Sequence, residues 1–229
     1  MHKDDHSTLW RRLAETGDVS LRSACAVCAA DLSSDGLGVI LITDGELRTI
    51  GHATDPRARH LENAQLVSGE GPCTEAYVTD RLVEAPDLRA VRERWPVFTR
   101  AADEQGLRAV TALPLATGRL RVGAMDLYRA APGPLTDGER TRVRGWARIV
   151  AMLALDAHPG MVTDEYRRVR PGPQGYPPRV HAAAGVLAEA DGLTPFDALA
   201  RMRAHAFSHD RSLLETADRV ISERSLDGD

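Results

Sequence analysis

The sequence predicts an α+β domain, an antiparallel sheet with flanking helices, followed by an all-α three-helix domain. Three observations predict it. Two pairs of short apolar runs, each split by a turn signal, lie between helical segments in the first two-thirds of the chain. A crowd of prolines and glycines then fills residues 158–178. Beyond it, residues 179–226 show helical periodicity with clear start and stop signals. The division is therefore 1–157, a linker over 158–178, and 179–229.

Taken in order, residues 8–32 carry Leu9, Leu13, Leu21, Ala24, Cys28 and Leu32 near helical spacing, with a break at Gly17-Asp18. Gly36 to Ile42 is a strand candidate, Asp44-Gly45 is a hairpin turn signal, and Leu47 to His52 returns as the partner. Leu113 to Leu115 and Val122 to Tyr128 form a second pair around Thr117-Gly118, and residues 57–107 between the pairs mix helix and loop. Thr136 followed by Glu139 reads as a capping box. It opens a long helix with Val143, Trp146, Ala147, Val150, Leu153 and Ala154. This order predicts helices on one face of the sheet. The linker reads as a semi-rigid spacer with a short helical piece near Glu165 to Arg168.

The last segment is punctuated by Gly192 at a C-cap, Thr194-Pro195 at a helix start, and a second capping box at Ser212 and Glu215. Its first helix carries Val180, Ala183, Leu187 and Ala190, its second Leu199, Met202 and Ala206, and its third Leu213, Ala217, Val220 and Ile221. Alanine-rich faces let helix axes approach closely. So short a domain buries little surface alone, which favours a packing partner or a homodimer.

Composition bounds the function. The 229 residues have a net charge of −4, with 43% hydrophobic and 27% charged. These are the proportions of a soluble protein without a basic footprint over its whole surface, so any nucleic-acid contact must come from a local patch. The polar start, Met1-His2-Lys3-Asp4-Asp5-His6, lacks a signal peptide, and no run reaches membrane-spanning length. A cytoplasmic protein with no membrane partner is expected. Cys25-Ala-Val-Cys28 lies in an apolar, alanine-rich stretch and reads as two small buried residues. Cys73 begins a helix, where a thiolate is favoured, but a buried packing role fits it too. No P-loop, H-E-x-x-H or G-x-S-x-G occurs, and Asp126 and His52 have no partner motif. No enzymatic activity, catalytic residue, metal ligand or cofactor is expected.

Three segments carry a family resemblance: Val180-His181-Ala182-Ala183-Ala184-Gly185-Val186-Leu187, the run from Asp197 to Arg211, and Leu213 through Val220. From Arg179 to about Arg224 they resemble the ANTAR domain, the RNA-binding output module of transcription antiterminators. Ser68-Gly69-Glu70-Gly71-Pro72-Cys73-Thr74-Glu75-Ala76-Tyr77, Trp95-Pro96-Val97-Phe98, Leu113-Pro114-Leu115, Gly123 to Tyr128 and Pro132 to Thr136 are similar in order to a GAF domain, covering about residues 15–157. Together they resemble the GAF–ANTAR regulators of actinobacterial type.

The resemblance implies a dimeric regulator that binds RNA stem-loops to control transcription termination. Arg203 and Arg211 are its polar contact candidates, with His181, His205 and His209 nearby. An arginine fork can grip phosphate or stack on a loop base. A GAF pocket for an unidentified small molecule would lie between the sheet and residues 57–107. Tyr77, Trp95 and Phe98 would line it or simply fill the core. Where the family's Gln-Ala-x-Gly signature has glutamine, this sequence has Ala182. From Arg179 onward six basic residues face nine acidic ones, a net charge of −3. These two features support the alternative: a small-molecule or protein-binding GAF sensor whose ANTAR part has lost RNA binding and serves dimerisation. A redox sensor using Cys73, or Cys25 and Cys28, is a third option.

Overall fold

The computed structural model describes residues 4–43, 47–118, 120–158, 178–209 and 211–226. The Asp44-Gly45 turn, the interior of the 158–178 linker and the helical piece expected near Glu165 lie outside them. Contacts divide the chain into two compact units, residues 24–161 and residues 1–23 with 162–229. The sequence predicts one domain over residues 1–157, whereas the contacts group the first 23 with the C-terminal helices. The reason is the apolar stripe on α1 (Asp4–Ala14), whose Leu9, Trp10 and Leu13 are buried.

The sheet unit follows from α2 (Leu21–Asp31), most of which belongs to it. Strands β1 (Gly36–Thr43), β2 (Leu47–Ala53), β3 (Val83–Ala85), β4 (Ala109–Thr117) and β5 (Leu120–Arg129) pair antiparallel in the order β2-β1-β5-β4-β3. Asp126, central on β5, sits between Gly38 of β1 and Ala112 of β4, two small neighbours. Between β2 and β4 the chain forms α3 (Pro56–Ser68), α4 (Pro72–Thr79) and α5 (Pro96–Glu104), and α6 (Asp137–Ala157) closes the unit.

Ile40, Ile42, Val110, Ala112, Ala124 and Tyr128 share a core with α3, α4 and α5. The alternate residues Val39, Leu41, Leu113, Leu115 and Met125 are buried as well, and α6 packs on β4 and β5. Side chains alternate between the faces of a strand, so helices cover both faces, not one as expected. Strands buried on both sides read as continuous apolar runs, as Gly36 to Ile42 does. The capping box of α6 forms as read: the Thr136 hydroxyl accepts from the Glu139 amide at 3.3 Å, and Glu139 Oε2 accepts from the Thr136 amide at 2.7 Å. The buried Trp146 of α6 donates its indole N–H to Asp31 Oδ2 of α2 at 3.0 Å.

The helical unit contains α1, α7 (Pro178–Asp191), α8 (Pro195–Ser208) and α9 (Leu213–Glu223). Helix α7 is central and packs against α1, α8 and α9. Its burial runs unbroken from Ala182 to Ala188, wider than the one face read from the sequence, while Ala190 is exposed. Helix α1 covers the extra side. A Cβ at Gly185 would lie 2.8 Å from Trp10 Cβ and 3.2 Å from the Ser7 carbonyl, so glycine is needed for this approach. Thr194 caps α8 by accepting from the Asp197 amide at 3.2 Å, and Ser212 with Glu215 completes the capping box of α9. Among the described residues, no helix is long and apolar enough to cross a membrane.

Candidate functional site

A buried polar cluster lies against the middle of the sheet. Residues three apart share a helix face, so α3 directs Glu62 and Gln65 together. Residues two apart share a strand face, so β5 adds Asp126 and Tyr128. The start of α4 supplies Cys73. All five are closed to solvent. The Tyr128 hydroxyl lies 2.6 Å from Glu62 Oε1 and 3.0 Å from Asp126 Oδ2. Gln65 donates its amide N–H to Asp126 Oδ2 at 2.6 Å, and its Oε1 accepts from the Cys73 backbone N–H at 2.9 Å. Asp126 Oδ1 is buried without a hydrogen-bond partner among the described residues.

Two glycines make room for these side chains. A Cβ at Gly38 would collide with the Glu62 carboxylate, and one at Gly71 with the Gln65 amide. Gly71 has φ 141°, a conformation that side chains rarely adopt.

The electrostatics are one-sided. Among the described residues, no Arg, Lys or His forms an ion pair with Glu62 or Asp126. Burial raises the Glu62 carboxyl well above the usual carboxylate range, and the neighbouring Asp126 charge adds to the effect. Burial pushes Asp126 up to about 7, against the lowering effect of hydrogen bonds from Gln65 and Tyr128. Tyr128 is raised by burial first and then by both carboxylates. The Tyr128 hydroxyl has one proton for two carboxyl oxygens. Two bare charges buried side by side without an Arg, Lys or His partner among the described residues are very costly, so the pair calls for a proton or a cation.

The sequence expects no metal ligands. The structure nevertheless brings Glu62, Cys73 and Asp126 together, with one potential donor atom from each all within 4.8 Å of one another. Their separation of up to 64 residues hid this arrangement. The sequence marks Asp126 and Cys73 only singly, and no motif marks Glu62 or Gln65. The i, i+3 polar pair within the apolar face of α3 was the available signal.

Of the expected pocket residues, Trp95 and Phe98 are core side chains packed edge to face at 6.2 Å, and Phe98 adjoins the Tyr128 ring at 6.3 Å. Tyr77 is partly buried against the same core, with the Arg121 guanidinium 5.1 Å from its ring centre. Cys25, Cys28 and Cys73 are all buried thiols. Burial raises Cys25 to about 12, and Cys28 well above its ordinary value.

In the helical unit, Arg203 and His205 lie in the second half of α8, and His209 and Arg211 follow in the turn after it. The His205 and His209 rings stack at 4.0 Å. Arg203 is exposed and, with Ala200, Ala204, Ala206 and Leu213, lines a surface concavity. His181 lies apart on α7, half-buried and stacked on Trp10 at 6.2 Å. Four of the six arginines beyond residue 178 are engaged by acids. Arg179 pairs with Asp218 at 2.6 Å, Arg201 with Asp191 at 2.5 Å, Arg219 with Glu223 at 2.7 Å and Arg224 with Glu15 at 3.5 Å. Arg203 and Arg211 have no ion-pair partner among the described residues. Glu189 and Asp197, two acids that could have neutralised them, are engaged elsewhere, by Arg11 and Thr194.

No family model matches the sequence. No curated protein matches it either. Among solved structures, the chain is similar to the GAF domain of an Acinetobacter phosphoenolpyruvate-protein phosphotransferase, at 12% identity and TM-score 0.50, over 69% of this chain and 96% of that one. The sheet unit has the GAF fold. Weaker likenesses are to a type II free methionine-R-sulfoxide reductase from Thermoplasma acidophilum (15% identity, TM-score 0.48, 63% of this chain and 96% of that one) and a GAF domain/HD domain protein from Geobacter sulfurreducens (15%, 0.46, 64% and 97%). At these identities the GAF likeness concerns fold alone.

Proposed function

We propose that this chain is a signal-responsive regulator whose GAF unit senses a signal and whose α7–α9 segment, an ANTAR-like module, binds RNA hairpins to control transcription termination. The observation that carries this reading is the selective pairing of the arginines. The acidic excess of the segment is partly spent on Arg179, Arg201, Arg219 and Arg224. Arg203 and Arg211, without an ion-pair partner among the described residues, would offer their forks to a phosphate or a base. The departure at Ala182 weighs little against it, because that position is buried inside the helix packing. Two protomers would present four such arginines and gain avidity on paired hairpins.

The test is binding of the full chain to a tandem-hairpin RNA at low and moderate salt. Arg203→Ala/Arg211→Ala is expected to weaken binding at least about tenfold and flatten its salt dependence, since every phosphate that is no longer neutralised retains its counterions. Equal affinity of the two proteins, or no binding at low salt, would sink the reading.

One observation favours the second reading, a dimerisation module without RNA binding. Leu214 is 43% exposed near Leu213 and the alanine-lined concavity. That reading predicts a dimer that Leu214→Glu dissociates in sedimentation, together with no affinity for RNA in the wild type.

A further inference from the structure

We propose that Glu62, Cys73 and Asp126 form a binding site for one divalent transition-metal ion inside the GAF unit. The proposal deepens the sensing role suggested above by naming a ligand class, but the site stands on its own geometry whether or not the helical unit binds RNA.

Four observations converge on it. First, the donor atoms are already gathered, one from each residue within 4.8 Å of the others. Three donors sharing one tetrahedral ion, at bonds of about 2.0–2.3 Å to oxygen and sulfur, lie roughly 3.3–3.6 Å apart, so a contraction of up to about 1.5 Å closes the set. Second, Asp126 Oδ1 is fully buried and unpartnered among the described residues, a lone pair left without a proton to accept. Third, two acids share the site with no ion-pairing cation among the described residues, so a dication supplies the missing charge. Fourth, the surroundings are built for these groups. Gly38 and Gly71 leave space for Glu62 and Gln65. Gln65 ties two of the ligand-bearing elements together, holding Asp126 through Nε2 and the α4 backbone at Cys73 through Oε1. Hydrogen bonds of this kind orient metal ligands.

The donor set also selects the metal. A thiolate beside two carboxylates favours borderline ions such as Zn²⁺, Fe²⁺ or Co²⁺ over Mg²⁺ and Ca²⁺, which take oxygen alone. On binding, the Cys73 thiol and whichever carboxyl is protonated release their protons to solvent, and the ion's two positive charges replace them. Gln65 acts as a positioning residue.

The experiment uses the full chain, stripped with a chelator and titrated with Co²⁺ as the probe. One equivalent is expected to bind, to produce a thiolate-to-cobalt charge-transfer absorption, and to raise the unfolding midpoint by mass action. In Cys25→Ala/Cys28→Ala the absorption should persist, and in Cys73→Ser it should vanish. Glu62→Gln and Asp126→Asn, near-isosteric changes, should each weaken binding at least about tenfold. A folded wild type that takes up no cobalt and keeps its unfolding midpoint overturns the proposal even if a variant fails to fold. A band that survives Cys73→Ser, or an affinity untouched by both carboxamide variants, overturns it too. RNA plays no part in any readout, so failure here is distinguishable from failure of the antitermination reading.

Discussion

The two units each leave charge-bearing groups without an opposite partner among the described residues, and they do so in opposite surroundings. In the GAF unit two carboxyls are enclosed in the core. In the helical unit two guanidiniums stand in solvent. Water screens the arginines, so leaving them unpaired costs little and surrounding pairs add little. The core gives Glu62 and Asp126 no such relief, and they remain there only through hydrogen bonds, protonation or a bound cation. The same kind of imbalance is therefore a stability problem in one unit and an opportunity for recognition in the other.

Truncating a polar side chain in each unit gives the sharpest way to break this comparison. Gln65→Ala removes the partner of Asp126 and of the Cys73 amide and leaves a void, so a loss of about 3 kcal/mol or more is expected in chemical denaturation. Arg203→Ala should change stability by no more than about 0.5 kcal/mol in the same measurement, its effect falling on the proposed RNA binding. Comparable losses from both would show that the arginine also holds the fold together.

Next in size is Gly185→Val. Its side chain would meet Trp10 Cβ and the Ser7 carbonyl, and overpacking of this kind costs about 1–3 kcal/mol. Differential hydrogen exchange should show the protection of α1 and α7 falling while that of β4 and β5 is unchanged.

The capping boxes test whether the two units respond alike where their chemistry is alike. Thr136→Ala and Ser212→Ala should each lower stability by about 1 kcal/mol. Hydrogen bonds from the Thr136 hydroxyl and amide hold Glu139 below the usual carboxylate range, and those of Ser212 do the same for Glu215. A depressed native value contributes stability that is present above the ordinary pKa and is lost as pH falls through the native one. Thermal midpoints should therefore decline below about pH 4.5, less so in Glu139→Gln and Glu215→Gln. A wild type and a double glutamine variant with parallel profiles would remove this contribution.

The smallest effect concerns rate. Cys25, raised to about 12 by burial, should label slowly with a thiol reagent in the native protein and rapidly in denaturant. Fast native labelling would reopen the redox reading of the Cys25–Cys28 pair.

What the sequence revealed depended on how local the cause was. The boxes at Thr136 and Ser212 were legible because cap and partner lie three residues apart. The strands were legible as apolar runs, but the helix layers on both sheet faces were not, since a run buried on two sides does not say what covers each. The wide burial of α7 was hidden for a similar reason: its cover, α1, lies more than 160 residues away. Arg203 and Arg211 were legible through the family resemblance, but the lack of an ion-pair partner for them among the described residues was not. The site around Asp126 was least visible, because its neighbours come from α3 and α4 rather than from any nearby motif.

The seat of Trp10 over Gly185 has one more consequence. The GAF unit's chain is inserted between the two stretches that make the helical unit. During synthesis α1 leaves the ribosome before the GAF unit, yet the surface that receives it is made after that unit. At translation speeds of about 5–20 residues per second, the GAF unit has several seconds in which to fold while α1 waits with Leu9, Trp10 and Leu13 uncovered. The helical unit is thus completed when the stretches on either side of the GAF unit meet, and a fragment that begins at the linker would lack the strip of protein that closes it.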